Sequence, residues 1–142
     1  VSVIGSSRAF AALSDHGRVI TWGHPECGGD SSMVSDQLHG ITFVAGNDAA
    51  FAALREDGSV VAWGDRSFGG DTSSVAGDLA SGVVSISSTS NAFAALTKQG
   101  SVVTWGYSRR GGQQGDAASQ LGRGVTAVTG NHYAFAAVRG DG

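Results

Sequence analysis

The chain has 142 residues, a formal net charge of -3 and a composition that is 41% hydrophobic and 15% charged. That balance suits a packed domain, excludes intrinsic disorder and gives no basic footprint for nucleic acid. A single cysteine, Cys27, rules out an intrachain disulfide and any cysteine-rich metal site, and no apolar run approaches the length of a membrane helix, so no membrane partner is expected.

Reading along the chain, Ala9–Leu13 (Ala-Phe-Ala-Ala-Leu) is a short apolar strand, His16-Gly17 a turn, and Trp22-Gly23 closes a returning strand. The segment that follows stays open between two readings. Asp30-Ser31-Ser32 with Val34 and Leu38 suits the start of a short helix, and the same stretch suits an outer strand. Gly40–Ala45 alternates with period two and reads as a further strand. Ala50–Leu54, the turn Glu56–Ser59 and Val60–Trp63 form a hairpin, since Asp57-Gly58 between apolar runs accepts the positive φ of a tight turn. The same series returns as Gly82–Ser87, Ala92–Leu96, Gln99-Gly100 and Trp105-Gly106. It returns once more as Gly124–Thr129, Ala134–Val138 and a turn at Asp141-Gly142.

The period is the decisive feature. Ala9, Ala50, Ala92 and Ala134 open equivalent strands, at spacings of 41, 42 and 42 residues. Ala50–Leu54 is apolar on both faces, which means cover on both sides, and its alanines allow neighbouring sheets to approach closely. Antiparallel sheets of about 42 residues stacked radially make a β-propeller, conventionally with four strands per blade. A β-solenoid has shorter coils and needs no hairpin in every copy. The expected fold is therefore all-β, with about three complete propeller blades and a partial fourth. Blade repeats are expected at 1–40, 41–82, 83–124 and 125–142. That number of blades does not close a ring, so the expectation is a fragment, completed by remaining blades of its own chain or by a second copy.

Ala53-Leu54, Asp57-Gly58, Val60-Val61, Trp63-Gly64, Gly69-Gly70 and Val83–Ser88 together resemble the repeats of the regulator-of-chromosome-condensation family, in a short-blade form. The resemblance runs through the whole chain and implies a propeller. The family's Gly-x-x-His-Thr signature is mostly missing. Gly46-Asn47-Asp48-Ala49 and Ser88-Thr89-Ser90-Asn91 lack the histidine, and Gly130-Asn131-His132-Tyr133 alone has one nearby. Guanine-nucleotide exchange is accordingly not carried over.

No chemistry of catalysis emerges. His16, His24, His39 and His132 fall at four different positions of the repeat, so they do not converge on a metal, and no serine stands in a nucleophile-elbow context. Gly28-Gly29-Asp30 and Gly69-Gly70-Asp71 come once per blade and not at the nonapeptide spacing of calcium-binding repeats. No cofactor is expected. Trp22, Trp63 and Trp105 read as packing residues between blades, with a sugar-stacking platform as the alternative.

Function is sought where the copies differ. After Trp-Gly the copies read His24-Pro25-Glu26-Cys27, Asp65-Arg66-Ser67-Phe68 and Tyr107-Ser108-Arg109-Arg110. Equivalent loops of a propeller share one face, and Arg, Tyr and Phe are enriched in protein interfaces. The candidate partner-binding residues are His24, Glu26, Arg66, Phe68, Tyr107, Arg109 and Arg110. A second variable set comprises Ser6–Arg8, Asn47–Ala49, Ser88–Asn91 and Asn131–Tyr133. The expected function is a non-enzymatic scaffold that binds a protein partner. The alternatives are a carbohydrate-binding propeller, and a regulatory repeat region of a ubiquitin ligase or nucleotide-exchange factor.

Overall fold

A computed structural model describes residues 1–141, arranged as four antiparallel sheets. The first sheet contains β1 (Ser2–Gly5), β2 (Ala9–Leu13) and β3 (Val19–Gly23). The second contains β4 (Ile41–Gly46), β5 (Ala50–Arg55) and β6 (Val60–Gly64). The third contains β7 (Val83–Ser88), β8 (Ala92–Thr97) and β9 (Val102–Gly106), and the fourth pairs β10 (Val125–Gly130) with β11 (Phe135–Arg139). The hairpins turn where Asp57-Gly58 and its equivalents stand, with Leu54 opposite Val60 and Leu96 opposite Val102. Of the fourth turn, Gly142 lies outside the described residues.

The segment after Trp-Gly, left open between a short helix and an outer strand, is helical, so the first three blades have three strands each. In place of an outer strand each carries two short 3-10 segments, such as Pro25–Cys27 and Ser32–Gln37 in the first copy. The backbone after Trp-Gly bonds to itself: Gly29 N–H donates to the His24 carbonyl at 2.9 Å, and Gly70 N–H to the Asp65 carbonyl at 2.9 Å. Groups satisfied within such a loop are lost to a strand ladder.

The second and third sheets are covered on both faces by their neighbours. In β5, Phe51 and Ala53 enter a cluster with Ala9, Ala11, Leu38 and Trp63, while Ala50, Ala52 and Leu54 enter the next one with Ile86, Phe93 and Trp105. All five residues are buried, as the apolar run required. Large and small side chains thus alternate across these two junctions. Polar links reinforce the stacking. Val83 N–H donates to the Gly58 carbonyl at 2.9 Å, and Ile41 and Val125 make the same bond to Gly17 and Gly100. The arrangement is an open array of propeller blades, and Phe10 and Trp22 on its first sheet are each 46% exposed.

Candidate interaction face

The loops that vary between copies are anchored by residues that do not vary in chemistry. Ser6, Asn47, Thr89 and Asn131 each stand three residues before the central strand's first alanine. Asn47 Oδ1 accepts from the backbone N–H groups of Ala49 and Ala50, at 3.1 and 2.9 Å, and Nδ2 donates to the Phe68 carbonyl at 2.6 Å. Thr89 Oγ1 accepts from Ala92 N–H at 3.1 Å and donates to the Arg110 carbonyl at 2.7 Å. Ser6 Oγ does the same between Ala9 N–H and the Cys27 carbonyl, both at 3.0 Å. One short side chain therefore closes its own turn and clasps the 3-10 loop of the same blade, which places both variable sets on one face.

In the sequence these four positions fall within the second variable set. The available signal was chemical: every one carries an oxygen acceptor on a short side chain, although no two neighbouring copies share the residue. Replacing the buried Asn47 by alanine is expected to cost about 1–2 kcal/mol in a urea titration, because three bonds are lost at once. Asn131→Ala, at an exposed position whose side chain bonds only Tyr133 and Ala134 among the described residues, should cost roughly half as much. Equal costs would refute the clasp.

A second device sets the spacing. Ser7 N–H donates to the Asp48 carbonyl at 3.0 Å, Asp48 N–H to Ser90 at 3.0 Å, and Ser90 N–H to His132 at 3.2 Å. These equivalent residues form a backbone ladder from blade to blade, so the loops of successive blades stand in a fixed row.

The seven candidate residues are placed unequally. Glu26, Arg66, Tyr107 and Arg109 are exposed. His24 is half-buried, and its Nδ1 finds no hydrogen-bond partner among the described residues. Phe68 is half-buried and packs against the cluster between the second and third sheets. Arg66 pairs with Asp71 at 2.7 Å. The Ser73 backbone N–H first, then the Arg66 guanidinium, hold the Asp71 carboxyl down to about 2, so this pair stays charged at neutral pH. Arg110 lies over the Tyr133 ring, with Cζ 4.7 Å from its centroid, and His132 meets that ring edge-on at 6.1 Å. This contact joins the two variable sets across the third junction. Arg109 and Tyr133 both line a cleft of about 460 Å³ between the third and fourth sheets. Among the described residues no three His, Cys, Asp or Glu side chains gather as metal ligands.

The tryptophans divide by position. Trp63 and Trp105 are 4% and 2% exposed, each stacked on a phenylalanine at 5.5 Å. Each donates its indole N–H across the junction, to the Gly28 and Gly69 carbonyls, at 3.0 Å. Glycine is needed at position 28 because a Cβ there would stand 2.5 Å from the Phe51 ring.

No family model and no curated protein matches this sequence. Solved structures do match. Human WBSCR16 superposes with a TM-score of 0.65 at 18% identity, over 99% of this chain and 45% of that one. Prp20p from Saccharomyces cerevisiae gives a TM-score of 0.68 at 15% identity, over 99% and 42%. The ectodomain of the Physcomitrella patens receptor kinase CR4 gives 0.67 at 18% identity, over 100% and 39%. At these identities the likeness is one of fold, and the fold is that of RCC1-like propeller repeats. The chain spans less than half the length of each of these structures.

Proposed function

We propose that this chain is a non-enzymatic protein-binding scaffold, with blades at 1–40, 41–82, 83–124 and 125–142, that contacts its partner through the clasped loop face. The observation that carries the reading is the division of labour within each blade. Asn47 and Thr89 hold the 3-10 loops in constant positions, while the residues those loops display differ from copy to copy. A rigid frame with variable display suits recognition of one extended, non-repeating surface. Arg109, Arg110 and Tyr107 form its richest part, since Arg and Tyr carry large shares of interface energy and neither arginine has a carboxylate within ion-pair distance among the described residues. The similar structures are compatible with a protein partner. Prp20p was described with its binding to Gsp1p and histones, and yeast RCC1 (Prp20) was solved bound to Kap60. Burial of Trp63 and Trp105 weighs against sugar platforms repeated in every blade.

The test is an affinity capture repeated with two variants of matched charge change. Tyr107→Ala with Arg109→Ala and Arg110→Ala alters the loop face, while Lys98→Ala with Arg123→Ala alters exposed positions outside both loop sets. The proposal expects a partner kept by the second variant and lost by the first, with both variants melting within a few degrees of the parent. Partners retained equally by both variants would rule out the loop face.

A further inference from the structure

We propose that the groove between the first and second blades receives an arginine of the protein partner, seated on Asp30 with an apolar residue beside it. The inference rests on the reading of the chain as a protein-binding scaffold, and it concerns a site apart from the third-blade loop. The groove holds about 330 Å³ and lies between two three-stranded blades, each of which carries both of its 3-10 segments. Pro25, Met33, Val34, Ala62 and Trp63 supply its apolar walls, and Met33 is 93% exposed. Glu26 and Asp30 also line it, and no Lys, Arg or His does. Neither carboxylate has an ion-pair partner among the described residues. An apolar groove fringed by two unpaired carboxylates is complementary to a cationic side chain with an apolar neighbour.

The second blade contains the pair that the first one lacks. There Arg66 donates to Asp71 Oδ2 from Nη2 at 2.7 Å and from Nε at 3.2 Å. Asp71 Oδ1 meanwhile accepts from Ser73 N–H at 2.9 Å. Asp30 is the counterpart of Asp71, and its Oδ1 accepts from Ser32 N–H, also at 2.9 Å. The two carboxylates are held alike, but Pro25 stands where Arg66 stands, so Asp30 Oδ2 has no guanidinium to bind. The Ser32 backbone N–H first, then the Ser32 side chain, hold the Asp30 carboxyl below its ordinary value, so it is ionised at neutral pH. Met33 replaces Ser74 and Glu26 replaces Ser67. The first blade has thus exchanged an internal ion pair for an open carboxylate beside apolar side chains. A partner's arginine restores the charge-assisted bonds seen at Asp71, and its aliphatic stem lies along the apolar wall.

The experiment uses the 142-residue chain and a fluorescein-labelled peptide, Ser-Leu-Arg-Leu-Ser, capped at both ends. Anisotropy should show saturable binding, weakened about tenfold or more when citrulline, uncharged and of similar shape, replaces the arginine. Asp30→Asn should weaken binding to a similar extent, while asparagine keeps the oxygen that accepts from Ser32. Pro25→Arg should do the same, because the new side chain pairs with Asp30 as Arg66 pairs with Asp71 and fills the site from within. Tyr107→Ala with Arg109→Ala and Arg110→Ala should bind the peptide as the parent does, so the groove and the third-blade loop fail separately. The proposal is overturned by absence of saturable binding, or by equal binding of the arginine and citrulline peptides. Parent-like binding by Asp30→Asn or Pro25→Arg, or loss of binding in the triple variant, overturns it equally.

Discussion

Trp63→Ala is expected to destabilise the protein by about 3–5 kcal/mol, the cost of emptying a buried aromatic site. Trp63 is 4% exposed, its ring stacks on Phe51 at 5.5 Å, and its indole N–H donates to the Gly28 carbonyl at 3.0 Å. Alanine would leave a cavity between two sheets and an unpaired carbonyl at its edge, so both the transfer and hydrogen-bond contributions are lost. The internal control is Trp22, which holds the same place in the first sheet, keeps the 5.5 Å stack on Phe10 and is 46% exposed. Trp22→Ala should cost only about 1 kcal/mol, the range of an aromatic pair with little desolvation. Denaturant titrations of both variants read the difference directly. A Trp63→Ala cost below about 1 kcal/mol would place that indole in solvent and favour carbohydrate stacking over packing.

Gly64→Ala is expected to be nearly as damaging, at about 3 kcal/mol, although it adds one methyl group and removes nothing. Gly64 has a φ of +103°, where a side chain costs about 1–3 kcal/mol in strain. Its added Cβ would stand 2.6 Å from the Ala49 carbonyl oxygen and 2.8 Å from Ala50 Cα. That carbonyl accepts from Asp65 N–H at 2.9 Å, so relief of the clash would break the bond that starts the 3-10 loop. Gly77→Ala is the contrasting change, because nothing lies within 4 Å of its Cβ position. It should be neutral or slightly stabilising, by up to about 1 kcal/mol, through lost freedom in the unfolded chain. Similar melting curves for the two variants would show that Trp-Gly is tolerant of substitution and that the loop is not anchored there.

Several features were decided by local chemistry and so were legible in the sequence. The 41- and 42-residue spacings, the Asp-Gly hairpin and the two-faced apolar run of Ala50–Leu54 led to stacked antiparallel blades, and the four sheets follow that plan. Period and turn chemistry are properties of neighbouring residues, and no distant contact is needed to read them. Tertiary structure decided the rest. The absent outer strand was undecidable locally, since Gly28 and Gly69 are fixed by Phe51 and Phe93 of the following blade. Trp22 and Trp63 have the same sequence neighbourhood and opposite burial, because only Trp63 has a preceding sheet to cover it among the described residues. Phe68 likewise looks like a display residue in its loop and packs against the core in space. The clasp at Ser6, Asn47 and Thr89 was hidden for the same physical reason. Each side chain bonds a carbonyl 21 residues away, a distance in sequence that only the folded blade removes.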